Sequence, residues 1–282
     1  MTPVSTQQPT AFLFLVDQSL SMKQAMAGGG GKSKAQCVGD AVNRLLTDLV
    51  YLTTFGAEVK DRFHIGVIGF GEAVGPILPD PLDDALMVPV SRLAAHPRRL
   101  EEERTPVVTP DGRTVEKVVR RPVWVEPAAN GDTPMAAALR MAARATTEFV
   151  TAFPRSFPPT VLLITDGRPS FEDPREAAAE LCRVATADGP VLLFCVHVSE
   201  KPGVPLLYPS ELPPDADKYT RFLFRLSSPL PDRIRANSPS GAPLAAGARG
   251  FAFNADLPSF TGFVNLGTSI AGPSAYNPKN WT

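Results

Sequence analysis

The sequence predicts an α/β fold in which a mostly parallel sheet is flanked by helices. Three observations carry that expectation. Short continuous apolar runs, rich in Phe, Leu, Val and Ile, recur along the chain, as strands buried on both faces do. Stretches with a single apolar helical face lie between them. Strands that alternate with helices imply parallel neighbours joined by right-handed crossovers.

The apolar runs are residues 11–16, 64–70, 160–165 and 191–198, with 251–253 a shorter candidate. Val38, Ala41, Val42, Leu45, Leu46, Leu49 and Val50 share one face of a first helix. Met135, Ala138, Leu139, Ala142 and Phe149 do so in a second, after Thr133-Pro134, where a capping hydroxyl precedes a proline suited to the first helical position. Asp173-Pro174 opens a third helix in the same way, with Gly189 as its expected end. Residues 217–226 form a fourth, stopped near Pro229, and 258–268 a fifth. Two insertions break the rhythm. Glycine-rich residues 25–35 delay the first helix, and residues 80–130 alternate around Pro110-Asp111-Gly112 as an inserted β-hairpin does. The whole reads as one domain over 11–270, between short tails at 1–10 and 271–282.

At 282 residues the chain can bury a sizeable core. A net charge of -1 without long single-sign blocks weighs against capture of a polyanion, so no nucleic acid is expected. No apolar run is long enough to span a bilayer, and the start lacks the basic residues of a signal peptide. The three cysteines, Cys37, Cys182 and Cys195, read as buried thiols. Together these features predict a cytoplasmic protein that does not engage a membrane.

Several tempting signals have plainer readings. In GGGGKS, residues 28–33, the glycine that a phosphate-binding loop needs first is Met26, and no strand immediately precedes it. A surface loop is the better reading. His64, His96 and His197 lack a ligand spacing, and the first and last read as partly buried structural histidines. No G-x-S-x-G elbow occurs. The basic pairs Arg98-Arg99 and Arg120-Arg121 read as solvated surface, and the Phe222, Leu223 and Leu226 stripe as packing onto the sheet.

In parallel α/β sheets the ligand site lies where loops converge at the carboxyl ends of the strands. Asp17, Ser19 and Ser21 follow the first strand, Thr133 ends the loop into the second long helix, and Asp166 follows the strand 160–165. Two carboxylates and three hydroxyls are hard oxygen donors that suit Mg²⁺. Only two protein charges would face a dication, so an Asp or Glu from a partner would gain both a bond and charge balance. Without metal the two carboxylates would repel, raising the pKa of at least one and loosening the site.

D-x-S-x-S after an apolar strand, Thr133 in NGDTPM and Asp166 in LLITDG resemble the von Willebrand factor A domain and its metal-ion-dependent adhesion site. The resemblance runs over roughly residues 11–266. It implies a Rossmann-like doubly wound sheet with Mg²⁺ or Mn²⁺ on its rim. Ser19, Ser21 and Thr133 would ligate directly, and Asp17 and Asp166 directly or through water. One position would be left for a carboxylate of another protein. That describes a protein-interaction module without catalytic residues. Similarity to intracellular bacterial single-domain members, including those associated with tellurium resistance, implies a stress, signalling or defence setting. Leu20 stands where many relatives have glycine, so a more restricted loop is expected. Two alternatives come from other classes. An aspartate-dependent phosphotransferase of the haloacid dehalogenase type needs a second acid two residues after Asp17, where this chain has Ser19. An RNA-associated A-domain protein is disfavoured by the near-neutral charge. The oligomeric state has no signature in the sequence.

Overall fold

Asp17 ends a central strand whose eight residues, Thr10–Asp17 (β1), are all buried. The computed structural model describes residues 4–108, 114–200, 204–236 and 242–254. The further main strands are β2 (Phe63–Phe70), β3 (Val74–Pro76), β4 (Arg99–Val108), β5 (Thr114–Val123), β6 (Thr160–Thr165), β7 (Leu192–His197), β8 (Leu206–Leu207) and β9 (Phe251–Phe253). The helices are α1 (Lys34–Leu52), α2 (Val90–Ala95), α3 (Met135–Ala152), α4 (Arg175–Arg183), α5 (Lys218–Leu226) and α6 (Asp232–Ala236).

The main sheet runs β8-β9-β7-β6-β1-β2-β3, and Val88–Pro89 also pairs with β2. From β9 to β2 every pairing is parallel; β3 and β8 are antiparallel edges. The chain therefore has the mostly parallel α/β architecture that the apolar runs predict. Side chains on a strand alternate between faces, so β1 feeds two cores. Phe12, Phe14 and Val16 join Val38, Val42, Leu45 and Leu49 of α1 on one face. Leu13 and Leu15 join Met135 and Leu139 of α3, Leu181 of α4 and Leu223 of α5 on the other.

The hairpin is present as the separate antiparallel pair β4–β5. Its strands begin at Arg99, earlier than the alternation suggests, and its expected turn at Pro110-Asp111-Gly112 lies outside the described residues. Arg120 and Arg121 reach Glu102 and Glu103 across the strands, and Arg99 reaches Glu101 and Glu126, so these arginines are satisfied at the surface. At the foot of the hairpin Asn43 of α1 clamps the chain. Its Oδ1 accepts from the Trp124 and Val125 amides at 2.8 and 3.0 Å, and its Nδ2 donates to the Val125 carbonyl at 2.8 Å. The Trp124 ring is buried and donates Nε1–H to the Leu93 carbonyl of α2 at 2.8 Å.

Some boundaries differ from the sequence reading. α4 ends at Arg183 rather than at Gly189. The chain after it turns back as a two-strand ribbon, Ala185–Thr186 against Gly189–Pro190, and Gly189 serves that turn. α1 starts inside the glycine-rich insertion, because Ser33 and Gln36 form a reciprocal capping box there. The short α2 and α6 hold too few turns to produce a periodic signal. The expected helix at 258–268 lies outside the described residues. Among the described residues no helix is long and apolar enough to cross a membrane. All three cysteines are free; Cys37 and Cys195 are buried and Cys182 is half-buried.

Truncating the clamp leaves two amides and a carbonyl without their partner, and each such loss costs about 1–3 kcal/mol where water cannot replace it. Asn43→Ala should lower the unfolding free energy by roughly 2–4 kcal/mol in urea titration. His64 of β2 packs against the Phe149 and Phe153 rings with its Nδ1 buried and unpaired. Burial lowers its pKa, partly opposed by Asp61. Below the ordinary histidine range the unfolded chain then binds more protons, so stability falls as pH drops through about 6.5. His64→Phe should flatten that acid limb in thermal denaturation between about pH 7 and pH 5.

Candidate metal centre

Three loops leave the carboxyl end of the sheet side by side, from β1, from β6, and into α3. Asp17 closes β1 with its side chain 1% exposed. Its Oδ1 accepts from the Ser19 amide at 2.8 Å, and its Oδ2 accepts from the Thr165 hydroxyl at 2.5 Å. Thr165 ends the neighbouring parallel strand β6, so the bond ties the two strand ends together. Ser19 is buried, and its hydroxyl lies 3.0 Å from that of Ser21. The residues between them belong to a single 3₁₀ turn, Leu20–Lys23. Leu20 sits in that turn without a positive φ, so its position does not call for glycine.

Thr133 is buried, and its loop is bonded to both of the others. Gly131 accepts from the Leu20 amide at 2.9 Å, while the Thr133 carbonyl accepts from the Ser170 amide at 2.9 Å and its amide donates to the Ser170 hydroxyl at 3.2 Å. Gly131 has φ 77°, and a Cβ there would stand 2.5 Å from the Glu72 amide nitrogen, so only glycine permits this approach. No hydrogen bond from the Thr133 side chain joins it directly to Asp17.

Asp166 follows Thr165, and Gly167 then turns at φ 95° to let the chain pass Tyr219 and Leu223. His197 Nε2 lies 2.9 Å from the Asp166 carbonyl, and the other ring nitrogen lies 3.0 Å from the Thr220 hydroxyl. Thr220 donates in turn to Asp217 at 2.7 Å. Burial lowers the His197 pKa, against the pull of Asp217 and the Asp166 carbonyl. The histidine that reads as structural therefore positions the Asp166 loop.

The two carboxylates interact electrostatically. Burial pushes the Asp17 carboxyl up to about 6; hydrogen bonds from Ser19 and Thr165 oppose the rise, and the charge of Asp166 adds to it. Asp166 Oδ1 is buried and has no hydrogen-bond partner. Its Oδ2 is bonded at 3.0 Å to Lys34 Nζ, a residue that sequence reasoning missed. A lysine beside the first turn of a helix reads as solvated, and only the tertiary fold brings it to an acid so distant in sequence.

An orphaned carboxylate oxygen, a second buried carboxylate strained by desolvation, and a facing pair of hydroxyls make a donor set that fits a hard divalent cation. Among the described residues no cluster of three or more His, Cys, Asp or Glu exists, so a site built from those ligand types alone is not available. The glycine-rich loop beside the centre is closed by a bridge between Ala25 and Ser33, and its Ala27 amide donates to the Ser199 carbonyl at 3.0 Å, beyond the end of β7. It is tied down across the rim and does not follow a strand, in agreement with the surface-loop reading.

No protein-family model matches the chain, and no curated protein matches its sequence. Similar solved structures include proximal thread matrix protein 1 from the mussel byssus, with 12% identity, a TM-score of 0.49, and coverage of 94% of this chain and 48% of that one. The ArnB paralog VWA2 from Sulfolobus acidocaldarius shows 14% identity, a TM-score of 0.35, and coverage of 70% and 36%. The vWF domain of the type V pili tip protein Mfa5 from Porphyromonas gingivalis shows 10%, 0.32, and 58% and 39%. The chain spans about half or less of the length of each. The fold assignment rests on the strand order described above and not on these likenesses.

Proposed function

We propose that the chain is a binding module of the von Willebrand A type. In this reading Asp17, Ser19, Ser21, Thr133 and Asp166 hold one Mg²⁺ or Mn²⁺ at the sheet rim, and a protein partner contributes an Asp or Glu to it. The observation that carries the reading is the buried Asp166 Oδ1, left without a partner beside the electrostatically coupled Asp17. When bound, the ion supplies positive charge and an open coordination position for a carboxylate. The chain's own residues do the rest. The Ser19 amide and Thr165 hydroxyl orient Asp17, and His197 fixes the backbone at Asp166. The bacterial stress or defence setting rests on the sequence resemblance alone.

Binding is favoured over catalysis because the position two residues after Asp17, where a phosphotransferase of the haloacid dehalogenase type carries its proton donor, is Ser19, a hydroxyl bonded to another hydroxyl. The rim is also dressed for contact. Leu20 and Phe171 are exposed, Phe171 by 83%, and their loops are bonded to either side of the Gly131–Thr133 segment. Phe171 holds φ at 69°, a conformation rare for an aromatic residue. An exposed aromatic in a strained backbone beside the candidate site supports a partner-facing contact there.

Titration with Mn²⁺ should show one ion per chain and a rise in melting temperature, because a ligand that binds only the folded state stabilises it. Asp17→Ala should abolish that rise while leaving a folded domain; an equal rise in the variant would refute the assignment. Phe171→Asn places a residue tolerant of positive φ at the rim. It should leave ion affinity and stability intact yet weaken capture of the partner in pull-downs from the native cell by roughly tenfold, the scale of a lost interface anchor.

A further inference from the structure

Lys34 is the first residue of α1, and its side chain is 3% exposed. Lysine is almost never buried to this degree unless it is paired. Its ammonium has two partners, Asp166 Oδ2 at 3.0 Å and Gln24 Oε1 at 2.9 Å, and its amide donates to the Gln24 carbonyl at 2.8 Å. Gln24 caps the 3₁₀ turn that follows Ser19. Lys34 thus bridges the turn on the β1 loop and the acid on the β6 loop, the two sides of the candidate centre.

The location runs against local electrostatics. A helix start carries partial positive charge and favours acids, so a buried cation there is held by something stronger. That something is the carboxylate of Asp166. Within the centre, Asp17 and Asp166 offer two negative charges, and Lys34 already offsets one of them. A divalent ion arriving at Asp166 Oδ1 meets a carboxylate whose other oxygen holds an ammonium.

We propose that Lys34 is a resident counter-cation of the rim centre, which competes with the divalent ion for Asp166 and thereby sets the affinity of the site for metal. This inference rests on the metal-binding reading given above. It also deepens that reading: with ion and ammonium both present the centre is net positive, and an incoming carboxylate is what neutralises it.

The test is Mn²⁺ affinity, measured by calorimetry on the full chain, for wild type, Lys34→Met, Lys34→Gln and Lys23→Met. Lys34→Gln keeps an N–H donor for Asp166 and serves if Lys34→Met does not fold. Lys23 is exposed on the same 3₁₀ turn, so its variant matches the change in net charge without touching Asp166. Removing a like charge a few ångströms from the ion should tighten binding by roughly tenfold or more. Tighter binding by a Lys34 variant, with Lys23→Met unchanged, is the expected result. Saturable binding by a Lys34 variant alone, with none by wild type, supports the role of Lys34 and overturns metal dependence of the native chain. Equal or weaker binding by the Lys34 variants, or an equal gain in Lys23→Met, overturns the inference while wild-type binding keeps the metal reading. Binding by none of the four proteins overturns both.

Discussion

A carboxylate buried at the end of the central strand is the constraint around which the rim of this protein is organised. Asp17 cannot be solvated where β1 delivers it, and burial is the largest cause of the rise of its carboxyl to about 6. A buried charge is tolerated only when hydrogen bonds or counter-charges replace its water. Here the Ser19 amide takes one oxygen and the Thr165 hydroxyl the other. Those two bonds set the path of the chain after β1 and lock it to the end of β6. Asp166, one residue beyond Thr165, is thereby placed within electrostatic range of Asp17.

The same need shapes the second tier. Gly131 and Gly167 are glycine because the chain passes too close to backbone or side chains there for a Cβ. His197 at the end of β7 faces the carbonyl of Asp166 and is itself held by Thr220 of α5, so a helix distant in sequence supports the loop. Satisfied hydrogen bonds of this kind reinforce one another in a low-dielectric setting. Asp166 Oδ1, buried without a hydrogen-bond partner, stands apart from the two bonded oxygens of Asp17.

Much of this was legible in the sequence. The central strands were readable because burial on both faces makes their apolar runs continuous, and Asp17 because an acid directly follows such a run. Thr133 was marked by the proline behind it. The exposed hairpin was visible in its alternation, although its true start at Arg99 was hidden, since Leu100 and Glu101 to Glu103 do not alternate. Short helices gave no period. Lys34 was invisible for a different reason: its meaning lies in a contact with Asp166 across 132 positions, and nothing local distinguishes it from a solvated lysine. Local pattern reports burial of elements; it does not report which charge answers which.

Conflict between local preference and observed placement is most informative where tertiary partners offset it. A lysine at a helix start, against the sign of the helix end, gains nothing from its own segment. It is held by Asp166 and Gln24, and both belong to the loops that shape the rim. Replacing a buried ion pair by apolar residues is often neutral for stability, so stability alone does not explain why the chain keeps this one. The proposed role in the charge balance of the rim would: one ammonium cancels one of two carboxylates, which eases the protein's own repulsion, and on the metal-binding proposal the ion-loaded centre would be more demanding of an anion. On that proposal the two states of charge would differ in the ligand they favour, and that difference is what would couple an ion to a partner.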